Sequence, residues 1–536
     1  MLSGYSRDAD GKVEVSTGSR MPLRHQLGLS PVRETESAPP QPRAVYQRPL
    51  KTVSAPTIGE EPEEMFRLPS NSFFPSNPWP DKEVEGAYKV NPILTRMLGG
   101  DAGSRFDGWL LTVSSQIGQI MLTMPNAMAK MGLIPAIPLA IFIACMSLWS
   151  MKMLICLYVA RRSILIVQKQ WIGEDGVRSV TQYHDVMGAI LGKFAKGIVM
   201  VVIVISLFGT CLSQIVASSS DAYYIHGHNG PDKRTWVLIF GAIMMLTPLL
   251  PTFRHFRIIN FIGFFTSTFT TWYIVIQSGV HGITYTQMNL RPRSLQEFYV
   301  GISVLVSAFG GHAVALEIMD SMFKPEQYGG VYLGAFFYIF SLTLPHSIAA
   351  NLAFPHKVLL NGNVYGAMPA SHVRSLSICL MLIHQICAFA YYSAPLYYIT
   401  EKALRVHHKP FYIRVPCRYP VALLIWFCAL LAPYYGTLNA LIGACTSPCI
   451  AFIFPALAFT WYFRKPERRK NASHKPPEWM RAKWLGGENW TFCFILNYFM
   501  IAIMLVNGTG FGIVFSIKQI ISDVHNFSLF PACFQC

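Results

Sequence analysis

Early in the apolar part of the chain stands the run Ser114-Ser115-Gln116-Ile117-Gly118-Gln119, where polar side chains and a glycine interrupt an apolar stretch. A second interruption, Phe309-Gly310-Gly311-His312, places two glycines before an ionisable ring. Hydrocarbon tolerates such groups only where they are covered by protein or line a cavity. We therefore predict that two membrane helices are broken near the middle of the bilayer. For Gly310-Gly311 alone, close helix packing through small residues is an equally good interpretation.

The composition sets these two runs in a polytopic membrane protein. Of the 536 residues, 52% are apolar and only 13% are charged, about half the charged fraction of an ordinary soluble protein. Apolar stretches of roughly 20 residues predict eleven spans. They are residues 108–130, 134–159, 195–224, 235–252, 257–281, 297–322, 328–354, 373–400, 419–432, 436–463 and 491–515. This composition excludes a soluble enzyme.

The two interruptions fall in spans 1 and 6, each the first span of a group of five. A broken first helix in each of two five-helix halves is typical of inverted-repeat transporters of the leucine-transporter type. We therefore predict an all-α fold of this type with 11 transmembrane helices, helices 1 and 6 broken. The second half of each broken helix would begin at mid-membrane, with free amides around Gln119 and around residues 311–313. Such a cavity suits a carboxylate.

The positive charge of the chain indicates its orientation and not a nucleic-acid partner. Residues 1–107 hold 13 Lys/Arg and 14 Asp/Glu, a net charge of −1, so the apolar part carries +17. With a cytoplasmic N-terminus, the predicted spans place 36 of the 44 Lys/Arg on the cytoplasmic side. Cytoplasmic loops of membrane proteins carry this excess. We predict a cytoplasmic N-terminus and an extracellular C-terminus.

Three segments follow from this topology. Residues 1–105, rich in proline and acidic clusters, are predicted to be a disordered cytoplasmic tail. Residues 106–515 form the transporter domain, and residues 516–536 form an extracellular segment. There, Cys533 and Cys536 could form a disulfide, and Asn526 could carry a glycan.

Ionisable and polar groups inside the predicted spans are the candidate site residues. His312 lies at a predicted break, so we favour a role in holding an anion, gating or carrying a proton over a neutral core histidine, since the usual pKa of histidine is about 6.5. Glu317 follows in the same span as a candidate proton relay. Further candidates are Gln214, His384 and Tyr391. Aromatic residues such as Phe309 could line a slot for a ring, although such residues more often pack in cores.

Several tracts resemble the AUX/LAX auxin influx carriers of the amino acid/auxin permease family, within the APC superfamily. They include Phe309-Gly310-Gly311-His312-Ala313-Val314 with Glu317-Ile318-Met319, Leu380-Met381-Leu382-Ile383-His384-Gln385, Ala394-Pro395-Leu396-Tyr397 and Lys475-Pro476-Pro477. The resemblance extends over roughly residues 106–536. It implies a proton-coupled plasma-membrane importer of indole-3-acetic acid. The family's polar span-1 segment corresponds here to Ser115, Gln116, Gly118 and Gln119, and its span-6 motif to residues 310–312.

These observations together predict function and partners. The substrate would be indole-3-acetic acid or a related aromatic acid, bound by residues Ser115, Gln116, Gly118, Gln119, Gln214, Phe309, Gly310, Gly311, His312, His384 and Tyr391. Protons would couple through His312, Glu317 and His384. We expect a monomer in the lipid bilayer, with no metal, cofactor or nucleic acid. A proton/amino-acid symporter of the same family and a non-transporting sensor remain alternatives. We do not expect an enzyme, and the lack of a P-loop, metal-ligand spacing and a nucleophile elbow argues against an ATP-driven pump or an intramembrane hydrolase.

Overall fold

The structure is a computed structural model. It describes residues 103–118, 120–167, 180–226, 230–250, 253, 256–285, 288–407, 409–431, 435–472, 475–481 and 489–527. The predicted tail (residues 1–105) falls almost wholly outside these ranges, and Gln119, Cys533 and Cys536 fall outside them entirely.

The described regular structure is helical throughout. The first half contains α1 (Arg105–Ile117), α2 (Ile120–Met131), α3 (Leu133–Val167), α4 (Tyr183–Leu191), α5 (Lys193–His226), α6 (Lys233–Met244) and α7 (Arg257–His281). The second half contains α8 (Leu295–Ala308), α9 (Ala315–Ser321), α10 (Tyr328–Ala353), α11 (Pro355–Leu360), α12 (His372–Ala403), α13 (Phe411–Leu431), α14 (Tyr435–Cys445), α15 (Phe454–Phe463), α16 (Pro466–Asn471), α17 (Trp490–Ile503) and α18 (Gly512–Phe527). The predicted all-α fold is confirmed.

Nine helical segments of the described residues are long and apolar enough to cross a membrane. They are Leu133–Ile166, Lys193–His226, Arg257–His281, Leu295–Ser321, Pro325–Ala353, His372–Ala403, Phe411–Leu431, Gly436–Phe463 and Trp490–His525. The other two predicted spans are built from shorter pieces: span 1 is α1 plus α2, and span 4 is α6 followed by a 3-10 turn at Thr247–Leu249. The count of eleven crossings therefore stays a prediction. The last helix ends at Phe527, beyond the predicted domain boundary at residue 515.

Side-chain caps explain where many of these helices begin. The side chain of an N-cap residue accepts a hydrogen bond from a backbone N–H of the first turn, which has no partner inside the helix. Among the α-helices described, caps of this kind occur at Ser104, Asp232, Ser294, Ser371 and Asn489. Ser104 and Asp107 form a reciprocal capping box. Asp107 also accepts two hydrogen bonds from Arg257 at 2.8 and 2.9 Å, which joins α1 to α7.

Both predicted breaks are present. In span 1, α1 ends at Ile117 and α2 begins at Ile120; between them Gly118 has φ −2° and ψ −141°, outside the helical region. In span 6, α8 ends at Ala308, and a 3-10 turn over Gly311–Ala313 precedes α9, which has only seven residues. The halves pack in pairs, with α2 against α8 and α1 against α9. The broken helices therefore cross beside each other at their interruptions.

The second half of span 1 is fixed by polar side chains from the helices around span 7. Pro125 has no N–H, so the carbonyl of Met121 loses its helical partner. The His346 Nε2 atom lies 3.0 Å from that carbonyl oxygen, and Asn351 donates to the carbonyl of Pro125 at 2.8 Å. Asn126 donates to two carbonyls of α11 at 2.8 and 2.9 Å. These buried bonds hold α2 in place although its helix is interrupted.

A buried ion cluster closes the end of α12. Glu401, which is fully buried, accepts hydrogen bonds from His407 (2.8 Å), Arg414 (2.9 Å) and Arg418 (2.7 Å). Arg418 also donates to the carbonyls of Pro248 and Leu250, where span 4 has lost regular helix. One carboxylate thus organises spans 4, 8 and 9.

We expect Glu401→Gln to be strongly destabilising, by about 3 to 5 kcal/mol, because it leaves two arginines buried without their counter-ion. Thermal unfolding of the purified protein in detergent measures this effect. The matched control is Glu467→Gln, which removes an exposed carboxylate of α16 and should change stability by less than about 0.5 kcal/mol. Equal melting temperatures for the two variants would contradict the structural role of Glu401.

Candidate functional site

The two breaks meet around one enclosed cavity. Gln116 of span 1 packs directly on Gly311 of span 6, where an added Cβ would lie 2.3 Å from the Gln116 Nε2 atom. The cavity beside this contact is lined by residues from spans 1, 3, 6, 8 and 10. They are Gln116, Gly118, Ser206, Leu207, Thr210, Gln214, Ser307, Ala308, Gly310, Gly311, Ala313, Tyr392, Asn439, Ile442 and Ser447. The predicted meeting of two interrupted helices is therefore present.

The cavity is small in this conformation. Its volume is about 40 Å³, enough for about two or three water molecules and too small for an indole ring. A ligand of that size can enter only if the surrounding helices move apart.

Gln214 supplies the clearest unpaired polar group of the cavity. The side chain is fully buried, and neither its oxygen nor its nitrogen has a hydrogen-bond partner among the described residues. A buried amide without partners costs about 1 to 3 kcal/mol. Its oxygen can accept and its nitrogen can donate, so it can bind either a carboxylate or an N–H group.

His384 lies beside the span-1 break with a defined tautomer. Its Nδ1 atom lies 3.0 Å from the carbonyl oxygen of Gly263. A carbonyl only accepts, so the proton is on Nδ1. The buried Nε2 atom has no hydrogen-bond partner in the described ranges, which omit residue 119, and lies 3.4 Å from where a Cβ on Gly118 would be. Its lone pair is therefore available for a proton at the edge of the cavity.

His312 points away from the cavity. Its Nε2 atom lies 2.8 Å from the Ser150 hydroxyl of α3, and its ring lies near Phe452. The Nδ1 atom is buried without a hydrogen-bond partner. Gly310, Gly311 and Ala313 line the cavity while the His312 ring faces span 2, so the structure brings the two glycines of the motif but not its imidazole to the cavity wall.

Of the aromatic and hydroxyl residues near the breaks, some line the cavity and others pack outside it. Tyr392 lines the cavity and donates to the carbonyl oxygen of Ser115 at 2.5 Å, where α1 approaches its end. The Ser115 hydroxyl bonds within its own helix. Tyr391 is buried against Phe256 and is not one of the residues that line the cavity. Phe309 packs on Phe340 outside the cavity lining. Its carbonyl, at the end of α8, accepts from Ser147 at 2.7 Å.

Glu317 lies outside the cavity lining, beside a second cluster of polar and charged side chains. Its carboxylate is buried, with Gln182 Nε2 at 3.5 Å from one oxygen; the other oxygen has no hydrogen-bond partner within the described part of the chain. Gln182 also donates to the carbonyl of Pro395 in α12. Next to it, Lys402 bonds Asp185 at 3.0 Å, and Lys196 bonds Asp185 at 2.9 Å. The segment before α5 therefore closes this end of spans 6 and 8.

The Asp185 cluster is charged across the physiological pH range. Burial opposes ionisation, but Lys402, His184 and Lys196 together lower the pKa of Asp185. Burial also lowers the pKa of His184 to about 4, so this histidine is neutral. Because the Asp185 carboxylate is stabilised above its lowered pKa and loses this contribution only in strong acid, the cluster is not a pH switch near neutrality.

Comparison with known proteins identifies the family. Residues 101–507 match the family described as "Transmembrane amino acid transporter protein". The chain is 34% identical over 436 residues to Auxin transporter protein 1 of Arabidopsis thaliana, covering 81% of this chain and 87% of that protein. It is 32% identical over 456 residues to Auxin transporter-like protein 2 of Oryza sativa subsp. japonica, covering 85% and 91%. The chain belongs to the AUX/LAX group of the amino acid/auxin permease family.

The architecture of this AUX/LAX chain has a counterpart among solved structures. The crystal structure of MhsT in complex with L-phenylalanine matches it with a TM-score of 0.52 at 8% identity, covering 76% of this chain and 99% of that chain. This likeness confirms the predicted leucine-transporter-like fold. Together with the family, it identifies a transporter and not an enzyme.

Several lining residues of this AUX/LAX site were not predicted from the sequence. They are Ser206, Leu207 and Thr210 of span 3, Ser307 and Ala308 of span 6, and Asn439, Ile442 and Ser447 of span 10. The polar members carried a weak signal, because Thr446-Ser447-Pro448 interrupts span 10 much as the polar run interrupts span 1. Asp221, an acid inside span 3, was also missed. Among the predicted residues, Gln119 has no described position, and the side chain of Asn526, near the end of α18, is not described.

Proposed function

We propose that this chain imports indole-3-acetic acid across the plasma membrane together with protons, by alternating access. The observation that carries the proposal is the cavity bounded by both helix breaks, in which the Gln214 amide has no partner. The names of the auxin transporter relatives support the same substrate.

In this proposal the substrate carboxylate binds at the breaks. It lies between the start of α2 and the backbone of Gly310 and Gly311, because the first amides of a helix lack internal partners. Gln116 and Gln214 donate to it. The indole ring lies among Leu207, Ile442 and Tyr392, which line the same cavity. Ser115, Phe309 and Tyr391 support these groups from behind, and Gln119 completes the span-1 segment.

In this proposal, ionisable groups on two sides of the bound substrate carboxylate couple its transport to protons. His384 takes a proton on its unpartnered Nε2 atom beside Gly118, and the resulting positive charge attracts the substrate anion. Glu317 receives the proton on the other side of the cavity. His312 is hydrogen-bonded to Ser150 of α3. Through this bond, a change of charge at the span-6 break affects the position of span 2. Rocking of the two halves then releases acid and proton.

The orientation proposed from the positive loops has consequences at both ends. A cytoplasmic N-terminus makes the Asp185 cluster the cytoplasmic closure, which must open for release. An extracellular C-terminus allows a disulfide between Cys533 and Cys536 and a glycan on Asn526. The unit of transport is one chain in the bilayer.

A proton/amino-acid symporter is the second candidate, favoured by the description of the matching family. An amino acid would need a partner for its ammonium group as well as for its carboxylate. Among the described lining residues there is no Asp or Glu. The cavity therefore suits an acid without an ammonium group better.

Uptake of labelled indole-3-acetic acid into proteoliposomes tests the proposal. With an acidic exterior and a neutral interior, we expect accumulation that collapses when a protonophore removes the gradient. Unlabelled 2,4-dichlorophenoxyacetate should compete and tryptophan should not. Competition by tryptophan but not by 2,4-dichlorophenoxyacetate would favour the amino-acid symporter. If neither labelled indole-3-acetic acid nor labelled tryptophan is taken up in response to the gradient, both proposed functions are contradicted.

We expect His312→Ala to abolish proton-driven uptake with folding and surface delivery intact, because its imidazole joins span 6 to span 2. Uptake and cell-surface biotinylation in the same cells measure the two properties. His372→Ala, which removes an exposed histidine of α12, is the control and should transport normally. Wild-type uptake with unchanged pH dependence in His312→Ala would refute the role.

A further inference from the structure

Asp221 is a buried acid that the proposed mechanism does not use. It lies in α5, and its side chain is fully buried. One carboxyl oxygen accepts from Asn363 Nδ2 at 2.6 Å, and the other accepts from Gln385 Nε2 at 3.3 Å. Among the described residues neither oxygen has a salt-bridge partner. A carboxylate inside a membrane without a cation is costly, and such acids typically mark proton pathways.

The groups around Asp221 leave its charge uncompensated. Tyr223 and Tyr224 lie with Asp221 near the C-terminal end of α5. Tyr365 lies in the short turn that follows Asn363. Two cations come from other elements. Arg374 of α12 donates to the carbonyls of Tyr224 and Met368, and Lys233 of α6 lies over the rings of Tyr223 and Tyr224. Within the ranges that the structure describes, the hydrogen bonds of the carboxylate itself come from two uncharged amides, Asn363 and Gln385.

Gln385 can satisfy both protonation states of this acid. Its buried Oε1 atom has no hydrogen-bond partner among the residues described, while its Nε2 atom donates to the carboxylate. If Asp221 takes up a proton, a rotation of the Gln385 amide by half a turn exchanges these two atoms, and the new O–H donates to Oε1. The Asp221 carboxyl group therefore keeps a hydrogen bond to Gln385 in each protonation state.

Asp221 is connected to the cavity along two helices. Gln214 lies seven residues earlier in α5, two turns away on the same face and about 10 Å along the helix axis. Gln385 directly follows His384, whose Nε2 atom lies at the edge of the cavity. Asn363 comes from the connection between α11 and α12, which the proposed topology places outside.

We propose that Asp221 is the site at which the transporter takes up its proton from the outside. The Gln385 amide hydrogen-bonds the acid in both protonation states, and Asn363 covers it on the outer side. A proton from the exterior binds the carboxylate, no covalent bond other than O–H changes, and the same proton leaves toward the cytoplasm with the substrate. The inference rests on the proposed proton-coupled transport.

The test is Asp221→Asn, which is close in shape to the protonated acid but cannot release a proton. Reconstituted protein is assayed for pH-gradient-driven accumulation and for exchange of labelled against unlabelled indole-3-acetic acid without a gradient. For one coupled proton and a gradient of one pH unit, accumulation reaches at most about tenfold. We expect the variant to lose this accumulation and to keep exchange. Asp232→Asn, at the cap of α6, is the matched control and should keep both.

Retention of both activities in Asp221→Asn would overturn the inference, as would wild-type accumulation driven by sodium in place of protons. If the variant loses both activities, infrared spectroscopy decides. Wild-type protein without substrate should show a carboxylic acid band that titrates between acidic and mildly alkaline pH and is missing in Asp221→Asn. Absence of such a band would overturn the inference. Because no substrate is present, this result is independent of whether indole-3-acetic acid is the transported compound.

Discussion

Gly311→Ala should reduce uptake of indole-3-acetic acid by at least about tenfold, and Gly311→Val should abolish it. An added Cβ at Gly311 would lie 2.3, 2.4 and 2.6 Å from three side-chain atoms of Gln116. The Gln116 side chain would then have to leave its place at the span-6 break, or one break would have to move away from the other. Overpacking of this kind costs about 1 to 3 kcal/mol, and about 1.4 kcal/mol corresponds to a factor of ten. Uptake and surface expression of each variant measure the effect.

Two controls separate the contact from a general effect of losing a glycine. Gly279→Ala adds the same carbon in α7, where nothing lies within 4 Å, and should transport like the wild type. The double variant Gly311→Ala with Gln116→Ala removes the clash. Its uptake should therefore be close to that of Gln116→Ala alone. Normal transport by Gly311→Val would show that the two breaks do not need to touch.

Gln214→Met should abolish uptake while leaving thermal stability unchanged or raised. The amide is buried without partners, so removing it relieves a cost of about 1 to 3 kcal/mol, and methionine fills a similar volume. Only a role in binding would make this costly residue necessary. Saturable binding and thermal unfolding of purified protein measure the two effects.

Ser213→Ala is the control for Gln214→Met. The Ser213 hydroxyl is also buried without a hydrogen-bond partner, but Ser213 does not line the cavity. This variant should bind and transport like the wild type. If Gln214→Met also binds normally, the amide has no part in recognition.

The sequence predicted the features that depend on local chemistry. Glycines and polar groups inside apolar runs marked both breaks, because a membrane excludes an uncovered polar group wherever it lies along the chain. Gln214 and His384 could be named as candidates because an amide or imidazole inside an apolar span is rare and costly.

Other features depend on how distant helices rotate against each other. Whether His312 faces the cavity or span 2 is set by the packing of α3 against the 3-10 turn, which no local pattern encodes. The contribution of span 10 through Asn439 and Ser447 likewise arises from packing across the chain. The partners of Asp221, residues 363 and 385, are far apart in sequence, so its surroundings could not be inferred.

The most direct test of the account is an experimental structure of the protein with indole-3-acetate bound. We predict a carboxylate between the span-1 and span-6 breaks, within hydrogen-bond distance of Gln116 and Gln214, and an enlarged cavity around the indole ring. A ligand bound away from Gly118 and Gly311, or helices that continue unbroken through these two glycines, would contradict it.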